Sequence, residues 1–498
     1  MWLYFVLVAI LVIATRHIAH RIKRWKTNRH YALKYGTKDP VILADIAPPE
    51  GGNYDKETMR AFKEHRGLEL IQKRHIAGGY TFQTHTIGGR IINTSEPENI
   101  KTIQASRFED YSLGFRQVAL GPLLGKGVFT NDGKDWEHSR ALVRPNMSKT
   151  LYTDFRNLER HVQEMISHMP KDGSTIDIQD MFFKLAFDAS SEFLFGESVH
   201  AFEAAEDSDE AKFGAAFDYA SGETVRRLHY GPYLFLYFNR EFTKACKTVH
   251  EFVDKVISKA ATRRAQGKAN QYIFLDSLME SVSDPQRLRS ETLNVMQAGR
   301  DTTASLLATV FYLLGRHPEV WTKLDAEIGE LNGKPPTYEE LKKLTYLRYV
   351  MNETLRVHPV APINSRVAVR DTILPVGGGP DHKSPIFIPK GQKYVIPTPF
   401  LMFLRVTDSL VNKTRISFPT YVLHRRSDIY GPDAHEFRPE RWGEPTFRPG
   451  WAYIPFNGGP RICLGQQYAL TEAGYTIVRL VQTFKAVEQR DFTRYKES

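Results

Sequence analysis

The segment Phe456-Asn457-Gly458-Gly459-Pro460-Arg461-Ile462-Cys463-Leu464-Gly465 concentrates more chemistry than any other part of this 498-residue chain. Its adjacent glycines let the backbone pass close to a flat ligand, and Gly465 permits a tight turn into a following helix. Backbone N–H groups in such a loop can point at the Cys463 sulfur, which favours the thiolate and tunes a bound metal. The plainer interpretation is that Cys463 is a small buried hydrophobic residue, as most free cysteines are.

All ten positions of this segment are filled as in the haem-ligand loop of the cytochrome P450 family, which the chain resembles from about Arg107 to Tyr475. The resemblance implies haem b, with Cys463 as the axial thiolate ligand of the iron. It places Phe456, Arg461 and Gly465 against the cofactor. It also implies the P450 fold, which is mainly α with a smaller β-sheet part.

A second motif, Ala298-Gly299-Arg300-Asp301-Thr302-Thr303, interrupts a long apolar pattern of helical period that runs over Ser290–Leu314. Gly and Thr weaken a helix, and a Thr hydroxyl can bond back to the preceding turn, which predicts a local widening. The alternative is a small patch where two helices cross closely. By resemblance this is the oxygen-activating helix, in which Thr302 delivers protons and Asp301 is its acidic partner. Two small residues of the motif would then face the cofactor, Ala298 and Gly299.

The third motif is Asn352-Glu353-Thr354-Leu355-Arg356, where Glu353 and Arg356 are three residues apart and share one helix face. Most such pairs are exposed and contribute little to stability. The segment nevertheless resembles the Glu-x-x-Arg helix of the family, and Arg441 lies in a segment like the one whose arginine joins that pair. The resemblance predicts a buried, structural triad of Glu353, Arg356 and Arg441 that holds the haem-ligand loop in place.

Three further residues are expected near the haem. Trp136 and Arg140 are four residues apart, so both project from one face of a helix. In the family the matching pair meets a haem propionate, and Arg366 resembles another cation of this kind. The alternatives are a core position for Trp136 and a surface position for Arg140.

The amino terminus predicts a membrane anchor. Residues 2–15 carry no charge, and a cluster of basic residues follows them. The run is short for a spanning helix, but it lacks the preceding basic residue and the small-x-small site of a cleaved signal peptide. We therefore expect an anchor over residues 1–20, a basic linker and hinge over 21–52, and a single catalytic domain over 53–498. With the basic cluster on the carboxyl side, that domain would face the cytosol from the endoplasmic reticulum membrane.

Composition narrows the possible partners. Only two cysteines occur, Cys246 and Cys463, so a disulfide framework is not expected. The formal charge of +10 would suit nucleic acid, an anionic membrane surface or an acidic protein partner, and charge alone does not choose among them. The resemblance implies an acidic reductase surface and no nucleic-acid partner. No Rossmann or flavin motif is present, so the resemblance implies electrons from a separate NADPH-cytochrome P450 reductase.

The substrate is predicted only through the resemblance. Blocks such as residues 129–136, 192–196 and 424–431 look closer to fungal alkane and fatty-acid hydroxylases, which implies insertion of one oxygen atom of O2 into a C–H bond of such a chain. The alternative substrate is a secondary metabolite or another lipophilic molecule. A haem-thiolate isomerase would keep Cys463 but often loses the acid and hydroxyl pair, and a non-enzymatic haem carrier would need no reductase.

The chain departs from the family pattern in two places. Residues 396–420 interrupt a strand region with an apolar burst that has no turn chemistry. They are interpreted either as a surface or membrane-dipping loop, since insertions cost little closure entropy, or as a translated intron, which placement inside a sheet favours. The carboxyl end after Phe484 looks truncated relative to the family. Both departures allow a defective product that binds haem poorly.

Overall fold

The computed structural model describes residues 2–46, 54–86, 89–147, 154–268, 273–390 and 414–490. By its internal contacts the chain divides into two compact units. The first comprises Met1–Tyr111, Ser365–Pro419 and Glu497–Ser498, and the second comprises Ser112–Asn364 and Thr420–Lys496. Strands distant in sequence pair within the first unit, since residues 91–93 pair with residues 415–417. The single catalytic domain over 53–498 stays a prediction.

The first unit contains most of the β structure. Its strands are β1 (Thr81–Thr86), β2 (Gly89–Thr94), β3 (Tyr111–Ser112), β4 (Asn364–Ala368), β5 (Thr372–Gly378), β6 (Ser384–Ile388) and β7 (Arg415–Phe418). Five of them form a sheet in the order β1-β2-β7-β4-β3, and β5 pairs with β6 in a second sheet. The alternating run predicted as a strand around residues 80–92 is a hairpin of β1 and β2, with Thr81 opposite Thr94.

Strand β7 corrects one boundary of the predicted insertion. Residues 396–413 of that segment lie outside the described residues. Residues 415–418, however, pair in parallel with β2, with Ile91 opposite Arg415 and Asn93 opposite Ser417. Because β7 is the middle strand of the five-stranded sheet, the departure from the family pattern ends before Arg415 rather than at Thr420.

Five helices belong to the first unit: α1 (Trp2–Tyr35), α2 (Leu43–Ile46), α3 (Tyr54–Lys63), α4 (Gly67–Ala77) and α5 (Pro97–Lys101). Within the part of the chain that the structure describes, no helix combines the length and the apolar character needed to cross a membrane. The anchor predicted over residues 1–20 is therefore not confirmed. The carboxyl end from residue 491 and most of the hinge, residues 47–53, lie outside the described ranges.

The second unit is helical, as the sequence predicts. Its helices are α6 (Arg116–Leu124), α7 (Gly133–Val143), α8 (Arg156–Ser167), α9 (Ile178–Phe195), α10 (Asp209–Tyr230), α11 (Arg240–Ala265), α12 (Phe274–Leu278), α13 (Pro285–Leu314), α14 (Pro318–Gly329), α15 (Tyr338–Lys343), α16 (Thr345–Val357), α17 (Thr420–Leu423), α18 (Ser427–Tyr430) and α19 (Gln466–Thr483).

Helix α13 is the longest element of this unit and supplies the predicted oxygen-activating motif. Its amino terminus is capped by Asp284, whose carboxylate accepts a hydrogen bond from the Gln286 N–H at 3.1 Å. Pro285 occupies the first helical position, where its missing N–H costs nothing. The helix therefore begins five residues before the predicted Ser290 and ends at Leu314 as predicted. Its apolar residues are buried against the surrounding helices, among them Leu293, Met296, Ala304, Leu307 and Phe311.

Candidate active site

The Cys463 loop is a tight turn that closes on itself. Asn457 and Gly459 have φ angles of 61° and 63°, in the left-handed region that favours glycine. The Cys463 N–H donates to the Phe456 carbonyl at 3.0 Å, so the ends of the loop lie side by side. Gly465 lies two residues after Cys463 and immediately precedes the first residue of α19. The cysteine is thereby held just before the amino terminus of a helix.

The two cysteines have different surroundings. Burial raises the pKa of the Cys463 thiol, while the Gly465 N–H and the Arg140 guanidinium act to lower it. Its side chain is nevertheless exposed, which is consistent with protein surrounding most sides of the sulfur and leaving its tip open. Cys246 is buried in the apolar core on α11, where desolvation raises its pKa to about 11. Cys246 thus fits the plain core interpretation and Cys463 fits that of a ligand.

Two cations lie against one indole ring beside this loop. Trp136 is buried on α7, one turn before Arg140. The guanidinium carbons of Arg140 and Arg461 lie 5.8 and 4.3 Å from the Trp136 ring centroid, within the range of cation–π attraction. Arg140 also donates to the Ile462 carbonyl at 3.0 Å. The structure therefore brings Trp136, Arg140 and Arg461 together at the cysteine loop.

Arg461 has an acidic partner within the protein. Its Nη2 donates to Asp132 Oδ1 at 2.8 Å and to the Asn131 carbonyl at 2.9 Å, immediately before α7. Burial lowers the pKa of Arg461 to about 10, although Asp132 counteracts that shift. Arg461 thus ties the cysteine loop to the start of the helix that carries Trp136 and Arg140.

The small-residue motif lies within a continuous stretch of α13. Thr302 is exposed, and its hydroxyl donates to the Ala298 carbonyl at 2.5 Å, the back-bonding expected of a threonine in a helix. A Cβ on Gly299 would lie 3.2 Å from the Ser190 hydroxyl of α9, which is tighter than ordinary contact. The helix is unbroken here, so the predicted widening is not seen as an interruption of α13.

Asp301 is held by two neighbours on its own helix. The Gln297 amide donates to Asp301 Oδ2, and Arg300 Nη1 donates to Oδ1 at 3.0 Å. Burial is the largest influence and raises the pKa of Asp301. Arg300 lowers it, and the carboxylate of Asp218 raises it further. A buried carboxyl with a raised pKa keeps its proton to a higher pH than an exposed carboxyl does.

Polar contacts extend from Asp301 to helix α10. The Ser221 hydroxyl donates to Gln297 Oε1 at 2.8 Å, and Arg300 Nη2 lies 2.5 Å from Asp218 Oδ1. The Asp218 side chain is 57% exposed, whereas that of Arg300 is 6% exposed, so the network reaches from solvent to a buried position. Sequence reasoning missed Gln297, Ser221 and Asp218, because no local spacing relates α10 to α13.

Glu472 is a second acid that the sequence analysis missed. It is buried on α19, nine residues after Cys463, and it hydrogen-bonds Thr303, the neighbour of Thr302 on α13. Desolvation raises the pKa of Glu472 to about 8, and the Thr303 hydroxyl acts in the opposite direction. The available signal was a carboxyl placed between apolar residues in a helical pattern.

The structure brings Glu353, Arg356 and Arg441 into one buried cluster, with side chains at most 1% exposed. Arg356 makes a bidentate pair with Glu353, with nitrogen-to-oxygen distances of 2.9 and 2.8 Å. Arg441 Nε donates to Glu353 Oε1 at 2.9 Å, and Trp442 Nε1 donates to Oε2 at 3.0 Å. Both carboxylate oxygens are therefore fully engaged.

The arginines of this cluster also bind backbone carbonyls. Arg356 donates to the carbonyls of His424, Ala434 and Glu436 at 2.6 to 2.8 Å, and Arg441 donates to that of Asp433 at 3.0 Å. These carbonyls belong to the segment that precedes the cysteine loop. The cluster thus binds that segment through its backbone carbonyls. Its role in holding the cysteine loop stays a prediction.

His424 links this segment to the loop and was not predicted as a site residue. Its Nε2 accepts a hydrogen bond from the Ile454 N–H at 2.9 Å, two residues before Phe456. Burial and the nearby Arg356 lower its pKa to about 3, so the ring is neutral and can accept this bond. The contact spans thirty residues, which no local pattern reveals.

Arg366 lies in the first unit, on β4. It is buried, donates to the Ser365 carbonyl at 2.9 Å, and its guanidinium lies 5.8 Å from the Phe418 ring centroid. Its expected place beside the cofactor stays a prediction.

Comparison with known proteins agrees with this arrangement. The family model described as Cytochrome P450 matches residues 63–401 and 409–495, and its gap falls inside the predicted insertion. Cytochrome P450 monooxygenase himC of Aspergillus japonicus is 42% identical over 475 residues, which is 93% of this chain and 81% of that protein. Cytochrome P450 monooxygenase fsdH of Fusarium heterosporum is 38% identical over 506 residues, 98% and 85% of the two chains.

Cytochrome P450 52A13 of Debaryomyces hansenii is 41% identical over 454 residues, 87% of this chain and 83% of that protein. The matches span nearly the whole chain and include the cysteine loop, the α13 motif and the buried cluster. The chain therefore belongs to the cytochrome P450 family of monooxygenases, which bind haem through an axial cysteine thiolate.

Proposed function

We propose that this monooxygenase hydroxylates an alkane or a fatty acid at a C–H bond, using Cys463 as its haem ligand and electrons from an NADPH-dependent reductase. The observation that carries the ligand assignment is the Cys463 loop itself. Cys463 is an exposed residue, and although burial raises the pKa of its thiol, the Gly465 N–H and the Arg140 cation both act to lower it. This donor set fits a metal-bound thiolate.

The residues that would hold the haem surround this sulfur. Phe456 and Gly465 bound the loop, and Arg140 and Arg461 supply positive charge beside Trp136 for the acidic groups of the cofactor. Ala298 and Gly299, which carry a methyl group and no side chain, would leave room for the cofactor beside α13. When bound, the haem supplies oxygen activation, which thiolate ligation favours by promoting O–O cleavage.

Protons would reach the oxygen site through α13. Asp301 has a raised pKa and a polar route to the exposed Asp218 through Arg300. Thr302 donates its own hydroxyl proton to the Ala298 carbonyl, which leaves its oxygen lone pairs available to accept a hydrogen bond. The two residues can therefore pass a proton in a defined order, with Asp301 as the acid and Thr302 as the positioned hydroxyl.

The substrate proposal rests on likeness. The sequence blocks that resemble fungal alkane and fatty-acid hydroxylases agree with the 41% identity to cytochrome P450 52A13. A straight acyl or alkyl chain is the substrate class that this likeness supports. The alternative is a lipophilic secondary metabolite.

The electron donor and the membrane belong to the same proposal. A formal charge of +10 favours docking of an acidic reductase surface. The uncharged run at residues 2–15 with its basic flank supports an anchor over residues 1–20 in the endoplasmic reticulum, with the catalytic part in the cytosol. Deleting residues 1–26 should weaken membrane sedimentation and leave the haem spectrum unchanged. The Asn-x-Ser/Thr acceptor sequences of the chain include Asn93, Asn146 and Asn412, and a glycan on any of them would instead place the catalytic part in the lumen.

The haem-loaded protein, purified reductase and NADPH test the proposal directly. We expect a straight-chain fatty acid or alkane to give a hydroxylated product by mass spectrometry, with NADPH consumption that depends on substrate. If the enzyme oxidises polycyclic lipophilic compounds with coupled NADPH consumption and oxidises no straight-chain fatty acid or alkane, the proposed substrate class is contradicted. Product formation without NADPH or reductase would contradict the electron route.

A further inference from the structure

A cluster of metal-ligating side chains lies between helices α8 and α9, and none of its members takes part in the site described above. One ligand atom from each of His161, Glu164 and Asp188 lies within 4.8 Å of the other two. His161 and Glu164 are three residues apart on α8, so they share a face, and Asp188 projects from α9. His161 and Asp188 are 1% and 0% exposed.

Two atoms of this cluster point to something that binds there. In the part of the chain that the structure describes, neither His161 Nδ1 nor Asp188 Oδ2 has a hydrogen-bond partner, although both are buried. Glu164 Oε2 lies 3.7 Å from His161 Nδ1, which is beyond hydrogen-bond distance. Carboxylate oxygens and a ring nitrogen that converge in this way need a cation between them.

The remaining atoms of the same residues are bound as metal ligands usually are. His161 Nε2 lies 2.5 Å from a Glu192 carboxylate oxygen, so this nitrogen carries the proton and Nδ1 is left to act as a ligand. Asp188 Oδ1 accepts from the Ser198 hydroxyl at 2.7 Å and from the Ala201 N–H at 2.8 Å. A histidine that donates its second N–H to a carboxylate and a carboxylate held by outer donors are the supports that orient ligands around a metal.

We propose that His161 Nδ1, Asp188 Oδ2 and Glu164 bind a Zn²⁺ ion, which joins α8 to α9. Imidazole nitrogen and carboxylate oxygen are both zinc ligands, and a water molecule would complete four-coordination beside three protein ligands. An imidazole ligand makes Ca²⁺ and Mg²⁺ poor alternatives, since both prefer oxygen alone. The half-buried Glu164 also neighbours the exposed His200 and Glu203, which gives the ion a path from solvent.

The rival occupant is a proton on His161 Nδ1, which would make a buried ion pair with the two carboxylates. A proton satisfies the charge but needs no metal. Bound Zn²⁺ predicts metal in the purified protein, whereas a protonated His161 predicts none. Neither explanation depends on the proposed hydroxylation.

The test uses the full chain loaded with haem, so that Cys463 is occupied, after dialysis against a chelator. Zn²⁺ is titrated alone while bound metal is measured by mass spectrometry and the melting temperature is recorded. We expect one Zn²⁺ per chain and a melting temperature that rises with Zn²⁺. Asp188→Asn and Glu164→Gln should abolish this binding, and Glu192→Gln should weaken it about 10- to 100-fold.

Asp180→Asn is the matched control, because Asp180 is an exposed acid on the same helix, and this variant should bind Zn²⁺ as the wild type does. If Asp188→Asn does not fold, Glu164→Gln decides the question, since the Glu164 side chain is only partly buried. The proposal is overturned if the wild type binds no Zn²⁺ or if Glu164→Gln still binds it. It is also overturned if Asp180→Asn loses Zn²⁺ to the same extent, or if Ca²⁺ or Mg²⁺ raises the melting temperature as much as Zn²⁺ does.

Discussion

Arg356 donates two hydrogen bonds to the Glu353 carboxylate, from Nε to Oε2 at 2.9 Å and from Nη2 to Oε1 at 2.8 Å. Neither side chain has any exposed surface. The guanidinium then uses its other N–H groups on three backbone carbonyls. A buried pair of this kind gives little net stability over apolar packing, but removing one partner leaves a charge that nothing compensates.

Glu353→Gln should therefore destabilise the protein by about 3–5 kcal/mol, because Arg356 would lose its carboxylate partner and Arg441 would keep only Asp433. Chemical unfolding and the haem content after expression would measure this. Glu251→Gln is the control, since Glu251 pairs with Lys247 at an exposed i,i+4 position and should change stability by about 0.5 kcal/mol or less. Equal effects of the two substitutions would show that the buried cluster has no special role.

Cys463→Ser should abolish the thiolate-type spectrum of the reduced, carbon-monoxide-bound protein, because a serine hydroxyl does not supply a thiolate. Cys246→Ser is the matched control. It changes a buried core position with a pKa raised to about 11, and we expect it to leave the spectrum intact. A thiolate-type spectrum in both variants would refute the ligand assignment.

Thr302→Ala should keep the haem and continue to consume NADPH, but lose about tenfold in product per NADPH, with hydrogen peroxide formed instead. The reason is loss of the hydroxyl that orders proton delivery. Thr309→Ala provides a close control, since the Thr309 hydroxyl makes the same kind of bond to the carbonyl four residues earlier, at 2.8 Å, two turns along the same helix. Full coupling in Thr302→Ala would remove Thr302 from the mechanism.

Glu472 predicts a pH-dependent stability. The pKa of Glu472 is about 8 in the folded chain and 4.5 for an ordinary exposed glutamate, so the unfolded state loses its proton first as pH rises. Stability must then fall between pH 4.5 and 8, by up to about 5 kcal/mol for this group, because each pKa unit corresponds to about 1.4 kcal/mol.

Glu472→Gln removes this titration while keeping the side-chain shape. The melting temperature of the variant relative to wild type should therefore increase from pH 4.5 to 8. A difference that is constant over this range would show that Glu472 does not keep its proton in the folded state.

The messenger RNA from the native source should lack the coding stretch for part of residues 393–414 but retain that for Arg415–Phe418. The family match is interrupted at 402–408, while β7 is the central strand of its sheet. Sequencing of the transcript measures this. An abundant message that encodes the whole segment would make the insertion a true feature of the protein.

The sequence by itself was sufficient to predict the helical class and to locate the cysteine loop and the motif on α13. Each rests on local information, since a helical period, a capping residue or a glycine turn involves residues within a few positions of one another. The resemblance then supplied roles for Thr302 and Arg441 that spacing does not carry.

Only the tertiary structure decided which polar groups are buried and what they contact. Glu353 and Arg356 are three residues apart, as they would be in an exposed pair on a helix surface. Their burial is what makes the pair a structural cluster. Glu472 meets Thr303, and His161 meets Asp188, only because helices distant in sequence pack together. Burial strengthens electrostatic interactions and raises the cost of an unpaired group, so the packing of helices, which no local pattern contains, determines the chemistry of these side chains.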